Sequence, residues 1–138
     1  MRATPPGGLL LDLQDSQLGQ VETTGADLRV TLSTAHVTCP MGSLAHAPEE
    51  REGYLAPVVL CFRQARWQGE LAWAMGRVAD GEWWLEGQRL RRLPLPFASG
   101  APVRARLALA NGVVLAIEAQ ALECVLSGSE KFTPSLAC

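Results

Sequence analysis

Residues that bind metals are few in this chain of 138 residues. His36, Cys39 and His46 form a His-x2-Cys-x6-His spacing that supplies three ligands suited to zinc, with Cys61 as a distant fourth. The spacing matches no paired-knuckle motif, and His36 falls in a predicted strand whereas His46 falls in a loop. We therefore expect two unrelated histidines, no bound metal and no cofactor.

Residues suited to nucleophilic or acid–base chemistry are present without a motif around them. Cys39 or Cys61 as a nucleophile would need His36 as its base, and no local sequence supports such a pair. The candidate paired acids are Asp12 with Asp15, and Glu49 with Glu50 and Glu52. No apolar pocket is implied around either acidic set, so we expect these carboxylates to be solvated in turns and loops.

Aromatic side chains are the most suggestive group for ligand binding. The four tryptophans, all within eighteen residues, are Trp67, Trp73, Trp83 and Trp84. Exposed indoles on a β scaffold can stack on sugar rings or nucleobases. The alternation predicts that Trp73 and Trp83 face the core, whereas Trp84 points the other way and is the one tryptophan expected at the surface.

A ligand site is predicted where arginines follow Trp84 along the chain. Arg89, Arg91 and Arg92 join Trp84 as its candidate residues, in a barrel mouth or between sheets. With Arg104 and Arg106 these arginines would make a basic stripe for RNA or acidic ligands.

Nucleic acid is nevertheless not the expected partner. Arg104 is predicted to face Glu118, and the other arginines suit a solvated surface. The net charge of −2 gives no overall field that attracts nucleic acid or an anionic membrane.

A hairpin over residues 103–119 is the firmest structural prediction. Residues 103–109 and 113–119 alternate with period 2 on either side of an Asn-Gly sequence. A two-residue loop would mix polar and apolar faces, whereas a loop of Ala110 to Gly112 pairs Leu107 with Leu115 and Ala105 with Ile117. Gly112 is expected in the left-handed conformation.

A second hairpin of the same design is predicted around Ala79-Asp80-Gly81. It places Gly81 in the left-handed conformation, Met75 opposite Leu85 and Arg77 opposite Trp83.

Further strands are predicted at about 9–13, 27–39, 54–67, 89–95 and 122–126, with a long polar loop at 40–53. Segment 93–97 contains two prolines and is expected at a sheet edge or crossover. Segments 32–37, 85–90 and 117–122 change their apolar face, which predicts bulges or bends at sheet corners. The expected fold is all-β: a small curved antiparallel β-barrel or two-sheet sandwich of about 8–10 strands with little helix.

Length and composition favour one domain over 1–138, with a flexible segment at 1–8 and a C-terminal tail at 128–138. The apolar run Leu9-Leu10-Leu11 stops at Asp12, which argues against a signal peptide, and no run approaches the roughly 18 residues of a membrane span. We expect a soluble, cytoplasmic protein whose four cysteines are free thiols, namely Cys39, Cys61, Cys124 and Cys138.

No residue set defines an activity, and two functions from different classes stay open. A non-catalytic binding or interaction domain is favoured, because the chain offers two histidines and no convergent set of titratable groups. The hydrophobic share of 48% favours self-association as a homodimer, through an apolar face or the edge near 93–97. The alternative is a small-ligand binder or enzyme with its pocket near Trp84 and Arg89 to Arg92.

Overall fold

The computed structural model describes residues 9–39, 51–95, 97–124, 126 and 130–134. Within these ranges the chain forms β-strands and one short 3-10 helix at Leu71–Trp73, which confirms the all-β class. The strands are β1 (Leu9–Thr24), β2 (Asp27–Cys39), β3 (Arg51–Ala56), β4 (Val58–Arg63), β5 (Arg66–Gln68), β6 (Gly76–Leu85), β7 (Gln88–Leu90), β8 (Arg92–Leu95), β9 (Phe97–Ser99), β10 (Val103–Leu109), β11 (Val114–Ala119), β12 (Ala121–Cys124) and β13 (Lys131–Pro134).

These strands join in one large antiparallel sheet. Its main path runs β5-β11-β10-β6-β1-β2-β4-β12-β9, while β7, β8 and β3 pair with β6, β1 and β2, and β13 pairs with β3. The predicted barrel is wrong, because among the described strands the two ends of the path, β5 and β9, do not pair with each other. Both end strands have three residues, and the sheet bends over its core instead of closing.

The sheet has two sections that share a core. The first section holds β2, β3, β4, β8, β9, β12 and β13, the second holds β5, β6, β7, β10 and β11, and β1 pairs with strands of both. Phe62 of the first section stacks on Trp83 of the second, with ring centroids 6.4 Å apart. Both rings are fully buried, so apolar burial between the sections is what holds the bent sheet together.

β1 changes section at an irregularity between Asp12 and Gln17. Asp12 lies opposite His36 and Gln17 lies opposite Thr34, so β1 advances five residues while β2 advances two. Asp15, within this step, has a positive φ of 71°. Before the step β1 pairs with β8, and after it β1 pairs with β6, so the extra residues turn the strand from one section to the other.

Side chains replace the ladder hydrogen bonds that this step removes. The Ser16 hydroxyl donates to the Asp12 carbonyl oxygen and accepts from the His36 amide, both at 2.8 Å. The Asp12 carboxylate accepts from the Gln14 amide at 3.1 Å. Ser16 is completely buried, so its hydroxyl supplies partners that water cannot supply there.

Two further corners carry the chain between sections. Gln64, with φ of 47°, separates β4 from β5, and Gln120 separates β11 from β12. The Gln120 amide donates to the Arg63 carbonyl oxygen at 2.9 Å, which joins these two corners. The bend predicted at 117–122 is therefore confirmed. Segment 85–90 contains a tight turn instead. The bulge predicted at 32–37 is confirmed, because Gln17 lies opposite Thr34 and Leu18 opposite Leu32, which leaves one extra residue in β2 where its neighbour changes from β4 to β3.

The corner after β4 is surrounded by ion pairs. The Arg63 guanidinium lies 3.0 Å from Asp27 and 3.0 Å from Glu123, and the Asp27 carboxylate accepts from the Gln64 amide at 3.0 Å. The Gln64 amide first, and the Arg63 guanidinium second, lower the pKa of Asp27 below its usual value. Hydrogen bonds to the carboxylates of Asp27 and Glu123 raise the pKa of Arg63.

The hairpin over 103–119 is confirmed in full. Leu107 pairs with Leu115, Ala105 with Ile117, and the loop is closed by a hydrogen bond from the Leu109 amide to the Val113 carbonyl oxygen. Gly112 has a φ of 95°, as the three-residue loop requires.

The hairpin predicted at Ala79 to Gly81 is wrong. β6 continues through these residues, with an irregularity at Ala79, and pairs with β10. The turn lies at Glu86 and Gly87, with φ of 50° and 81°. Gly81 serves close packing instead: a Cβ added there would lie 2.5 Å from the Leu13 Cβ. The absence of a side chain on Gly81 thus lets β1 approach β6.

Because the turn lies later in the chain than predicted, the residues before β6 also differ from their predicted positions. Trp73 ends the 3-10 helix and is 66% exposed, so its predicted place in the core is wrong, whereas Trp83 is fully buried as predicted. Met75 is likewise exposed. Both lie before β6 begins at Gly76, and so they have no strand partner opposite them.

The proline-containing segment behaves as predicted. Leu93 to Leu95 belong to β8, which pairs along one edge with β1, and the chain then passes to β9 beside β12. Of the predicted tails and loop, residues 1–8 and 40–50 lie outside the described residues. The loop prediction is wrong at 51–53, because these residues pair with β2 as part of β3, and in the predicted C-terminal tail Lys131–Pro134 form β13.

Replacing Ser16 with alanine tests the corner in β1. Ser16→Ala leaves the buried His36 amide and Asp12 carbonyl without their hydroxyl partner, and we expect a loss of about 1–3 kcal/mol in the free energy of unfolding. Ser33→Ala is the matched control, because the Ser33 hydroxyl is exposed and lies 3.4 Å from the Gln17 carbonyl. Equal urea midpoints for the two variants would contradict the role given to Ser16.

Acid titration tests the corner after β4. Because the pKa of Asp27 is lowered in the fold, its carboxylate stabilises the protein above the unfolded value near 3.9, and this contribution is lost as the pH falls through the lowered pKa. The stability difference between wild type and Asp27→Asn should be constant near neutral pH and shrink below about pH 4. Asp80→Asn, at an exposed position, is the control. If the stability difference between wild type and Asp27→Asn does not change with pH, the Asp27 contacts do not contribute to the loss of stability in acid.

Candidate ligand-binding cleft

A cleft of about 540 Å³ opens on the face of the second section that points away from the core. Strands β5, β11, β10 and β6 form it. Its lining residues are Arg66, Trp67, Gln68, Trp84, Arg104, Ala105, Arg106, Ala116, Ile117 and Glu118.

Strand register brings the polar lining together. Along β10, Val103, Ala105 and Leu107 are buried, so the residues between them face outward. One outward row across the sheet consists of Arg89, Trp84, Arg104, Glu118 and Arg66. The next row, toward the hairpin loop, consists of Glu82, Arg106, Ala116 and Gln68.

A small residue in the second row creates the open space. Ala116 lies between Arg106 and Gln68, and its methyl group is short beside those two long side chains. The floor of the cleft is therefore formed by Ala116 and by the strands themselves, while longer side chains form the walls. Larger residues at position 116 would fill the space.

Ion pairs hold most of the charged groups in the cleft. The Glu118 carboxylate lies 2.9 Å from the Arg104 guanidinium and 3.7 Å from that of Arg66. At the border of the cleft, Arg89 forms an ion pair with Glu82. These contacts join side chains of neighbouring strands around the cleft.

Arg106 differs from the other arginines of the cleft. It is half-buried, and its guanidinium has no ion pair or hydrogen bond with any residue that the structure describes. The lining contains three arginines and one glutamate, which leaves a local excess of two positive charges in a chain whose net charge is −2. The cleft is thus electrostatically suited to an anion.

Two tryptophans line the cleft: Trp67 lies opposite the buried Ile117, whereas Trp84 points outward. It is half-buried on β6, directly opposite Arg104 on one side and Arg89 on the other. Its indole stacks on no other aromatic ring among the described residues. The indole forms part of the wall of the cleft and is available to stack on a flat ligand.

The structure separates the four ligand residues predicted from the sequence. Trp84 lines the cleft and Arg89 lies beside it. Arg91 donates instead to the Gln14 side chain at 3.4 Å, and Arg92 lies opposite Asp12 on the other section, with the charged atoms 3.9 Å apart. The strand turn after Leu85 carries the chain back along β6 and then away toward β1, so consecutive arginines end on different surfaces.

Other residues take the places of Arg91 and Arg92. Arg104 and Arg106 were recognisable as outward residues of β10 from the alternation alone. Arg66 and Gln68 were not, because β5 joins the cleft only by pairing with β11, a long-range contact that no local pattern encodes. Ala116 also lacked a signal, since a small residue matters here only through its long neighbours.

The histidine and cysteine candidates do not form a site in the described part of the chain. His36 Nε2 lies 2.9 Å from Glu52 Oε1, while His46 and the Cys39 side chain lie outside the described residues. Residues 9–39, 51–95 and 97–124 contain no cluster of three His, Cys, Asp or Glu side chains that could hold a metal. Cys61 pairs with Arg29, seven residues along β2 from His36, or roughly 23 Å.

The remaining chemical candidates have structural roles. Asp12 is only 7% exposed, so its predicted solvation is wrong, and the physical reason is its hydrogen bonding within the corner of β1. Asp15 is exposed and forms an ion pair with Arg77 at 3.4 Å. Burial raises the pKa of the Cys124 thiol to about 12, which makes it unreactive. Glu49 and Glu50 lie outside the described residues.

No protein-family model, curated protein or solved structure matches this chain. Among the residues that the structure describes, no helix is long and apolar enough to cross a membrane.

Proposed function

We propose that this protein is a non-catalytic binding domain whose cleft over Ala116 holds an anionic ligand. The observation that carries the proposal is the half-buried Arg106 guanidinium, which has no partner among the described residues although it lies in a cleft with excess positive charge. A guanidinium offers paired N–H donors that match a carboxylate or a phosphate. An anionic ligand would supply the partner that Arg106 lacks.

The other charges of the cleft support binding more than catalysis. Its titratable groups are arginines and Glu118, and Glu118 is already held between Arg104 and Arg66. Transfer and hydrolysis normally need a nucleophile and a base in contact with each other. No such pair lines the cleft, so its groups can recognise and orient a ligand.

A second observation supports binding by a preformed site. The cleft lies on four adjacent strands, and the Arg104–Glu118–Arg66 contacts cross three of them. Sites on regular strands hold side chains more firmly than sites on loops. Ligand binding would therefore require little reordering of the protein.

Removing the Arg106 charge tests the proposal. Inorganic phosphate, titrated at constant ionic strength into 15N-labelled protein, should shift the amide signals of Arg106 and Ala116. Arg106→Gln should weaken this binding by about tenfold, because a charge-assisted hydrogen bond is lost.

Arg29→Gln is the matched control for that experiment. Arg29 is an exposed arginine of β2, on the other section, so the substitution makes the same change in net charge away from the cleft. Phosphate binding that is equal in the two variants, or shifts spread evenly over all arginines, would contradict the proposed site.

Self-association is a second candidate, favoured by large apolar side chains at one end of the second section. Trp73 is 66% exposed, Met75 52% and Val114 42%. The Asn111 side chain donates to the Trp73 carbonyl oxygen at 2.9 Å, which holds this segment at the tip of the β10–β11 hairpin. Exposed apolar groups of this size are typical of interaction surfaces, and a second copy of the chain is the partner we propose.

Light scattering over a range of concentrations tests self-association. Wild type should rise from the monomer mass of 14.8 kDa toward twice that value. The double variant Trp73→Ser, Met75→Ser should remain monomeric, because the apolar area buried on pairing is lost. Phe132→Ser, at an exposed residue of the first section, is the control. A wild-type mass that does not depend on concentration would exclude the homodimer.

We also propose a cytoplasmic location. Cys61 and Cys124 are free thiols in the structure, which supports a reducing compartment.

A further inference from the structure

We infer that the ligand of the cleft is a nucleotide-sized molecule that carries a flat ring and an anionic group, with the ring stacked on Trp84 and the anion bound to Arg106. This inference rests on the proposed anion-binding function and adds the class of ligand. Three observations support it: the relative positions of Trp84 and Arg106, the size of the cleft, and the arrangement of charged side chains around it.

Sheet geometry sets the separation between ring and anion. Trp84 lies directly opposite Arg104, and Arg106 follows two residues later on the same face of β10. A residue and its diagonal neighbour on adjacent strands are about 7–8 Å apart. A ring attached directly to its acid group, as in benzoate, is too short to reach both. A nucleoside monophosphate, with a sugar between ring and phosphate, has the necessary length.

The surroundings of Trp84 favour a ring as its contact. The other outward residues that line the cleft are charged, polar or small, and Trp84 is the aromatic residue that points outward among them. The arginines opposite it on β7 and β10 are held by Glu82 and Glu118. Tryptophans placed on a sheet between cations are suited to stacking with nucleobases.

The cleft fits one nucleotide better than a polymer. Its volume of about 540 Å³ falls within the range of about 300–1,000 Å³ that is typical of small-molecule sites. A nucleic acid strand crossing the sheet would pass the carboxylates of Glu82 and Glu118, which interrupt the arginines on either side of β10. A single phosphate at Arg106 would lie beside Glu82, whose carboxylate is paired with Arg89, and would not have to pass Glu118.

Binding of three probes to the full chain tests the inference: AMP, adenosine and inorganic phosphate, each measured by equilibrium titration. AMP should bind at least about tenfold more tightly than adenosine or phosphate, because it makes both contacts. Trp84→Leu should weaken AMP binding by about 5- to 150-fold, which corresponds to the loss of one stacked base, and should leave phosphate binding unchanged.

Trp84→Phe tests whether the weaker AMP binding of Trp84→Leu results from loss of the aromatic ring or from disruption of the fold. It keeps an aromatic face and should restore most of the AMP affinity. The volume of the cleft is tested by Ala116→Leu, which should block AMP, against Ala108→Leu, a neighbouring half-buried alanine on the same face of β10 that does not line the cleft.

The outcomes distinguish this inference from the proposed function. If AMP and phosphate bind equally well and Trp84→Leu changes neither, the ring contact is wrong while the anion site stands. If neither anion perturbs Arg106, the proposed function itself fails. If a ten-residue thymidine oligonucleotide binds more than tenfold tighter than AMP, the ligand is single-stranded nucleic acid and the nucleotide-sized class is overturned.

Discussion

Backbone amides and carbonyls that leave water must find other partners, and this requirement is hardest to meet where β1 passes from one section of the sheet to the other. The Ser16 hydroxyl meets it by bonding the His36 amide and the Asp12 carbonyl at 2.8 Å each. Just before this point Leu13 is fully buried against Gly81, where a side chain would not fit. One hydroxyl and one glycine therefore fix the junction of β1 with β6, the strand that carries Trp83 into the core and Trp84 to the opposite face.

Core and cleft are two faces of the same strands. The alternation that buries Ala105 and Ile117 against the first section necessarily directs Arg104, Arg106 and Glu118 outward. Burial of the inner face fixes the register, and the register fixes which outward side chains are neighbours. The cleft therefore needs no loop or helix of its own. Its open space exists because a small residue, Ala116, stands among the longer polar side chains of the outer face. The neighbouring ion pairs do not include Arg106, so its guanidinium has no partner among the described residues.

A structural feature could be predicted from the sequence where the residues that determine it lie close together in the chain. The hairpin at 103–119 was predictable because its alternation and its Asn-Gly sequence lie in one continuous segment, and the Arg104–Glu118 pair followed from it. Gly81 was misassigned because an Asp-Gly sequence suits a turn equally well, and its true role depends on Leu13, distant in sequence. The same holds for the cleft. Trp84 was recognised as an outward aromatic residue, whereas Arg66 enters through the pairing of β5 with β11, which only the three-dimensional structure reveals.

Intermolecular NOEs between bound AMP and the protein test the central claim most directly, because they report which side chains touch which part of the ligand. If AMP lies between Trp84 and Arg106, the adenine H2 and H8 protons should give NOEs to the Trp84 indole, and the phosphorus signal should show a shift that Arg106→Gln abolishes. NOEs from adenine to the exposed Trp73 would contradict this arrangement. A phosphorus shift that is the same for wild type and Arg106→Gln would also contradict it.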